Sequence, residues 1–328
     1  MKLLVAVQHR LEMWTVPVWF VEKLRAEFPQ FEITHRNTYD KLEDYVADVE
    51  VMFTLSLRPD QFKAANKLKW LHCPAAAVHQ FSFPEFVNSD VILTNGRDVH
   101  GPVVAEHVMA MVFVLAKNFH LCARYQQKSE WGQEPVWEAT PHPRLIAGAT
   151  LGLIGLGSIG RPVAKHASAL GMKVIAMRGN PEKGSSEGVT QVFGPSQLGQ
   201  LLAQSDYVVV AAPVLASTEH LIGAKQLAQM KPDACLINVA RGQLVDEAAL
   251  AQALREKKIG GAALDVFEKE PLPVDSPFWN MENVFISPHT GGLAERLWER
   301  EYDLFAENLR RYLKHRPLLA LVDKQKGY

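Results

Sequence analysis

Cysteine is scarce in this sequence, and its few occurrences form no pattern. Cys73, Cys122 and Cys235 are too few and too scattered for a disulfide framework, and none belongs to a CxxC pair with metal-ligand spacing. No pair among the twelve histidines has a convincing metal-ligand context either, so we expect no metal. A reducing, cytoplasmic environment is the expectation that follows.

An excess of charge of one sign is also missing. The 35 Lys and Arg residues nearly cancel the 36 Asp and Glu residues. Without a global positive field, neither nucleic acid nor an anionic membrane surface is an expected partner, and small molecules are favoured.

Long hydrophobic runs are absent as well. The most apolar stretch, Val103 to Ala116, contains Glu106 and His107 and is shorter than the roughly 20 residues that a membrane span needs. The run that opens the chain stops at Gln8, too early for the core of a signal peptide. We therefore expect a buried helix at the first stretch, a strand at the second, and no membrane association.

What the sequence does contain is a repeated alternation of short apolar strands and helical segments over 328 residues, enough for two domains. Up to residue 100 the pattern predicts one parallel sheet. One long helix, Pro102 to Ser129, and a loop, Trp131 to Pro143, then lead to a second alternating half from Thr150. The helix Ala294 to Leu313 would return to the first domain. The predicted fold is α/β, with two doubly wound parallel sheets in domains 1–100 plus 290–328 and 101–289.

A glycine-rich turn opens the second half. Gly155-Leu156-Gly157-Ser158-Ile159-Gly160 follows an apolar strand and precedes helical spacing, the context of a dinucleotide-binding turn. Gly155 permits the turn, Gly157 lets a pyrophosphate approach the backbone, and Gly160 lets the helix pack on the strand. We assign Gly155, Gly157, Ser158, Ile159 and Gly160 to cofactor binding; a turn without a ligand is the alternative.

The second strand of such a unit normally ends in a carboxylate that binds the adenosine ribose, but here it ends in Arg178. A guanidinium at this place suits a 2′-phosphate. The sequence thus favours NADP(H), with NAD(H) possible; the alternative is an Arg that simply faces solvent.

Three later segments also follow strands: Asn238 to Gly242, Asp265 to Pro271, and Ser287 to Thr290. With the Ala75 to Val78 loop and Val104 to His107, and in this order, they resemble the D-isomer-specific 2-hydroxyacid dehydrogenases over almost the whole chain. The resemblance implies a discontinuous, flavodoxin-like substrate domain and an NAD(P)-binding Rossmann domain. It also implies cofactor contacts from Pro213, Thr218, Ala240 and Asp265, although a strand-end Asp that caps the next turn is an alternative for Asp265.

Reduction of a 2-keto acid needs a hydride, a proton and a cation for the carboxylate. Arg241 can bind the carboxylate with two hydrogen bonds, and His289 can exchange the proton near neutral pH. A carboxylate bonded to the other imidazole nitrogen would orient His289. Glu268 and Glu270 both qualify by position; the resemblance selects Glu270, which also argues against the Gln-bearing formate dehydrogenases. Each of these residues, taken singly, could instead be structural.

The loop expected to offer backbone N–H groups to the substrate departs from the family pattern. Ala76-Ala77-Val78-His79 stands where the family has Ala-Gly-Val-Asp. We assign Ala76 and Ala77 to substrate binding, and Ala77 would be strained if its φ were positive. The methyl group narrows the pocket, and the physiological keto acid stays open.

The tail and the helix with Trp298 resemble the glyoxylate and hydroxypyruvate reductase branch. The resemblance implies NAD(P)H-dependent reduction of a 2-keto acid to the D-2-hydroxy acid, and a homodimer paired through the helix near Pro102, for which a plain core helix is the alternative. A nucleotide-sensing binding protein similar to the C-terminal-binding corepressors is the second functional hypothesis. The remaining histidines, His107 among them, are interpreted as structural or surface residues.

Overall fold

The computed structural model of the chain describes residues 1–327, apart from the side chain of Lys183. The chain divides into two compact units: residues 1–100 with the segment from Ala294 onward, and residues 101–293. The change at 293/294 comes a few residues after the boundary at 289/290 that the sequence suggests. Which unit binds substrate stays a prediction.

The strands within the described residues are short, and most of their residues are buried. They are β1 Lys2–Ala6, β2 Glu32–His35, β3 Val51–Thr54, β4 Trp70–Cys73, β5 Ile92–Asn95, β6 Thr150–Ile154, β7 Lys173–Met177, β8 Val189–Phe193, β9 Tyr207–Val210, β10 Cys235–Asn238, β11 Gly261–Leu264 and β12 Val284–Ile286.

The helices differ more in length. They are α1 Val18–Glu27, α2 Glu43–Val46, α3 Pro59–Ala64, α4 Pro84–Val87, α5 Arg97–Ala116, α6 Phe119–Gln127, α7 Gln133–Glu138, α8 Gly160–Ala169, α9 Leu198–Gln204, α10 Ala224–Leu227, α11 Glu247–Arg255 and α12 Leu297–Leu313.

The first unit is a parallel sheet with strand order β2-β1-β3-β4-β5, the flavodoxin-like order. On one face α1 and α12 pack through Phe20 and Phe305, and Phe20 lies 5.0 Å from Phe53 of β3, centroid to centroid. On the other face the core includes Val46 and Phe86 from α2 and α4. The carboxyl end of the described chain therefore completes the core that its first hundred residues begin.

The second unit is a parallel sheet with order β12-β11-β10-β9-β6-β7-β8. Apolar clusters cover both faces: α9 and α11 pack on one, α5 and α8 on the other. The strand order reverses between β6 and β9, the point at which doubly wound sheets bind ligands. Two doubly wound parallel sheets, one with the Rossmann order, confirm the predicted fold class.

The prediction of one continuous helix from Pro102 to Ser129 is wrong in detail, because the structure has two helices there, α5 and α6. The helical segment begins at Arg97, five residues earlier, and is broken at Asn118, whose φ of 53° is left-handed. The Asn118 amide donates to the Pro141 carbonyl at 3.0 Å, which compensates for the break. The segment predicted as a loop contains the short helix α7.

The apolar character of α5 is accounted for by the core. By length and composition the helix could cross a membrane, but 67% of its most apolar window is buried inside the chain. Val104, Val108, Val112 and Leu115 pack against β6 and its neighbours. These contacts are those of a core helix.

Candidate active site

Three predicted catalytic side chains follow three adjacent strands of the second unit. Arg241 comes after β10, Glu270 after β11 and His289 after β12, and β11 pairs in parallel with both of the others. Because parallel strands end at one edge of a sheet, these residues share that edge.

His289 and Glu270 form a dyad. Nδ1 of His289 lies 2.6 Å from Oε2 of Glu270, while Oε1 of Glu270 accepts a hydrogen bond from the Phe267 amide at 3.0 Å. Partial burial raises the pKa of the Glu270 carboxyl, but the hydrogen bonds from His289 and Phe267 and the nearby positive charges outweigh it, so the pKa lies below its usual value. The carboxylate is therefore ionised beside the imidazole at neutral pH.

The competing carboxylate points to a different histidine. Oε1 of Glu268 lies 3.1 Å from Nε2 of His220, and the Glu268 amide donates to the Glu247 carboxylate at 2.7 Å. Glu268 thus helps to hold the start of α11. The geometry separates the two glutamates, which sequence spacing leaves equivalent.

Arg241 carries a positive charge that forms no salt bridge with a carboxylate among the described residues. Within the described part of the chain, its side chain makes one hydrogen bond, from Nη1 to the carbonyl oxygen of Ala240 at 2.6 Å. Burial lowers the pKa of the guanidinium, and the charge of Glu270 partly offsets this. The Asn238 amide fixes the turn by donating to the Arg241 carbonyl at 2.9 Å. A half-buried cation with free donors can take a carboxylate ligand.

Asp265 anchors the loop that carries His289. It is 2% exposed, and its Oδ1 accepts from the Thr290 amide at 2.8 Å and its Oδ2 from the Gly291 amide at 2.9 Å. Burial raises the pKa of Asp265, but the hydrogen bonds from His107, Ser287 and these amides lower it by more. The net pKa therefore lies below the usual value. Both carboxylate oxygens accept hydrogen bonds from within the protein, as expected for an aspartate at a strand end that caps the next turn. A contact between Asp265 and a cofactor stays a prediction.

Sequence reasoning missed two members of this network. The Ser287 hydroxyl donates to Oδ1 of Asp265 at 2.6 Å, and Nε2 of His107 lies 3.0 Å from the Ser287 oxygen. Ser287 could have been suspected from its place two residues before His289. His107 could not, because 180 residues separate it from Ser287.

The glycine turn has the features of a phosphate cradle. Gly155 has a φ of +110°, and a Cβ on Gly160 would lie 2.1 Å from the Gly155 carbonyl oxygen, so neither position accepts a side chain. The space beside Gly157 is open. Within the described residues the amides of Gly157, Ser158 and Ile159 donate to no acceptor, and they stand at the start of α8. Free amides, an open approach and a helix N-terminus together fit a dinucleotide.

The other predicted cofactor contacts lie at neighbouring strand ends. Arg178 directly follows β7, is half-buried, and donates from Nη1 to the Gly184 carbonyl at 2.9 Å. After β9, the Thr218 hydroxyl donates to the Pro213 carbonyl at 2.8 Å and closes that turn. Their contacts with a cofactor stay predictions.

The predicted substrate loop in the first unit follows β4. The side-chain amide of Asn95 donates a hydrogen bond to the Ala76 carbonyl at 2.5 Å, and the backbone amide of Gly96 donates to the Ala75 carbonyl at 3.2 Å. These two bonds hold the loop to the end of β5. Ala77 is not among the residues with positive φ, so its methyl group is accommodated without backbone strain. No acceptor for the amides of Ala76 and Ala77 occurs in the described part of the chain.

Comparison with known proteins identifies the family. Residues 109–291 match the family model for the D-isomer specific 2-hydroxyacid dehydrogenase, NAD binding domain. A glyoxylate reductase from Korarchaeum cryptofilum is 32% identical over 272 residues, 80% of each chain. A D-3-phosphoglycerate dehydrogenase from Methanocaldococcus jannaschii is 32% identical over 299 residues, 89% of this chain, which spans only 55% of that relative's length.

The fold of the chain is also similar to that of solved structures. A D-isomer specific 2-hydroxyacid dehydrogenase from Xanthobacter autotrophicus Py2, in complex with NADPH and MES, superposes with a TM-score of 0.82 and 30% identity over 99% of both chains. The glycine turn and the dyad of His289 and Glu270 are consistent with the family that these similarities indicate. The chain belongs to the D-isomer specific 2-hydroxyacid dehydrogenase family and is an NAD(P)-dependent oxidoreductase.

Proposed function

We propose that the protein reduces a 2-keto acid, such as glyoxylate, hydroxypyruvate or a somewhat larger one, to the D-2-hydroxy acid. The observation that carries the proposal is the 2.6 Å contact between His289 and Glu270 at the same sheet edge as Arg241, which forms no salt bridge among the described residues. A 2-keto acid presents a carboxylate and a carbonyl oxygen that gains a proton on reduction. One cation and one proton donor match these two needs.

Each residue then has one role. Arg241 binds the substrate carboxylate through two parallel hydrogen bonds and polarises the adjacent carbonyl. His289, protonated on the nitrogen away from Glu270, donates its proton to the carbonyl oxygen as that oxygen becomes a hydroxyl. Glu270 holds the ring orientation and stabilises the imidazolium. The nicotinamide cofactor, when bound, supplies the hydride to the carbonyl carbon.

Ala76 and Ala77 complete the proposed substrate contacts. Their amides are free donors within the described residues, on a loop whose carbonyls are held by Asn95 and Gly96. Backbone donors do not depend on the side chain, so replacing the family's glycine by alanine preserves them. The added methyl group makes this loop bulkier, which we expect to disfavour large substrates.

NADPH is the proposed preferred cofactor, with NADH as a weaker one. Support comes from Arg178, which ends β7 where a ribose-binding carboxylate would otherwise stand and whose guanidinium is tethered to the Gly184 carbonyl. We expect Arg178→Gln to lower kcat/KM for NADPH by about tenfold, the value of one charge-assisted contact, and to leave NADH unchanged. Lys165→Gln, which removes an exposed cation from α8, is the matched control. A wild-type preference for NADH would refute the proposal.

The test of the function is a panel of 2-keto acids assayed by loss of NADPH absorbance, with the configuration of the product determined. Turnover to the D-hydroxy acid, and its loss in His289→Ala, are the expected results. No turnover of any keto acid, with NADPH still bound, would overturn the substrate class and favour the nucleotide-sensing alternative. An unaffected His289→Ala variant would remove His289 from its role.

A cytoplasmic homodimer is proposed as the working form. Since the apolar residues of α5 are used in the core, the more suitable surface is the segment after it, where Phe119, Trp131 and Trp137 are 54%, 91% and 62% exposed. Light scattering should give twice the chain mass, and a monomer at micromolar concentration would refute the dimer.

A further inference from the structure

Behind the catalytic loop lies a buried chain of hydrogen bonds that starts on α5. Nε2 of His107 lies 3.0 Å from the Ser287 oxygen, and the Ser287 hydroxyl lies 2.6 Å from Oδ1 of Asp265. Asp265 in turn accepts from the amides of Thr290 and Gly291. None of these groups is part of the proton transfer proposed for His289.

The direction of each bond follows from chemistry. The Asp265 carboxylate is ionised and can only accept, so the single proton of Ser287 is donated to it. The Ser287 oxygen must then accept its other bond from a proton on Nε2 of His107. His107 is therefore a donor whose bond reaches Asp265 through the hydroxyl; its own distance to Oδ1 is 3.5 Å.

The loop needs this support because its backbone is strained. His289 has a φ of +54°, a conformation that residues with a side chain rarely adopt and that persists only where surrounding contacts hold it. Three consecutive amides provide the contacts: His289 donates to the Asp265 carbonyl at 2.9 Å, and Thr290 and Gly291 donate to the Asp265 carboxylate. The loop is wrapped around one aspartate.

We infer that His107 is a positioning residue: acting through Ser287, it orients the Asp265 carboxylate and so keeps the imidazole of His289 aligned for proton transfer. The inference rests on the proposed function, because it concerns the efficiency of that step. His107 itself contacts neither substrate nor the reacting atoms, and it is fixed to a helix whose apolar side is locked in the core.

The test compares His107→Leu with His107→Gln. Leucine removes the donor, and we expect kcat for keto acid reduction to fall about tenfold, the value of one buried hydrogen bond, with KM for the keto acid within about twofold of wild type. Glutamine places an amide N–H near the position of Nε2 and should restore kcat. His120→Leu, which removes a half-buried histidine that interacts with the backbone of Val114 and of Glu282, is the matched control and should leave kcat unchanged.

Two further measurements exclude a general structural effect. Amide hydrogen exchange in the protein without cofactor should be about tenfold faster at Thr290 and Gly291 in His107→Leu, and unchanged in the strands. In a double-mutant cycle, His107→Leu should lower kcat no further when Ser287→Ala is already present.

Failure of the inference is distinguishable from failure of the function. A wild-type protein that turns over no keto acid overturns the proposed function. A wild-type enzyme that is active, with His107→Leu equal to it in kcat and in exchange at Thr290 and Gly291, overturns only the positioning role. So does a His107→Gln variant as slow as His107→Leu, or a double variant in which the two losses multiply.

Discussion

Replacing Glu270 by glutamine changes the charge beside His289 while keeping the size of the side chain. The carboxylate uses one oxygen for Nδ1 of His289 at 2.6 Å and the other for the Phe267 amide at 3.0 Å. When the imidazole is protonated, His289 and the Phe267 amide each donate a hydrogen bond to the Glu270 carboxylate. A glutamine has only one oxygen, so its NH2 group must face one of these donors, and the imidazolium loses its partner or the loop loses its tie.

The magnitude follows from the distance and the exposure. Two unit charges about 4 Å apart at an effective dielectric constant of about 20 attract by about 4 kcal/mol, which is an upper bound here. The side chains of His289 and Glu270 are 46% and 34% exposed, so solvent screens much of this attraction. A charge-assisted hydrogen bond of about 2 kcal/mol corresponds to a loss of roughly 30-fold in kcat for reduction.

The assay is steady-state oxidation of NADPH with a saturating keto acid, for Glu270→Gln and Glu268→Gln side by side. Glu268 bonds to His220 and to α11, so its variant should keep kcat within about threefold, as surface changes usually do. If Glu270→Gln retained wild-type kcat, or if Glu268→Gln lost as much, the assignment of the dyad would be wrong.

Three further outcomes are expected. Arg241→Lys should lower kcat/KM for the keto acid by about 100-fold, since a point charge replaces a two-pronged donor, and steady-state kinetics would contradict this by showing a loss below about threefold. Gly157→Ala should leave the Tm unchanged, because its Cβ would meet no heavy atom within 4 Å. The same variant should weaken NADPH binding by about tenfold or more in a fluorescence titration. Gly160→Ala should instead lower the Tm, because its Cβ would lie 2.1 Å from the Gly155 carbonyl oxygen. Because the pKa of Asp265 is lower in the folded protein than its usual 3.8, its contribution to the free energy of unfolding is complete above that pH and is lost as the pH falls through the lower folded value. Acid denaturation should therefore be less steep in Asp265→Asn below about pH 4, and curves of equal slope would refute the linkage.

Much of the architecture could be predicted from local patterns. Strands such as β6 and β9 are continuous apolar runs bounded by turn residues, and their type and ends are both predictable. The helices α8 and α11 show helical spacing, so their type is predictable and their ends lie within one or two residues of the predicted ones. Short edge elements were harder. In β8 only the last residue is fully buried and two are exposed, so the strand lacks a clear apolar pattern. The break at Asn118 is accompanied by a hydrogen bond to Pro141 that no local pattern indicates.

The candidate site divides in the same way. Parallel strands end together, so the order of motifs along the chain was enough to predict that Arg241, Glu270 and His289 would share one edge of the sheet. Spacing could not choose between Glu268 and Glu270, because two side chains two residues apart differ in direction only once the path of the backbone is known. The structure turns Glu270 to His289 and Glu268 to His220.

The glycine turn, the class of fold and the residue types for keto acid chemistry were determined by the sequence itself, because they depend on backbone freedom, on the period of apolar residues and on side-chain chemistry. The tertiary structure alone decided which carboxylate orients the histidine, that Ala77 needs no positive φ, and that His107 meets Ser287 across 180 residues. These depend on distances between segments far apart in the chain, and such distances are set by packing.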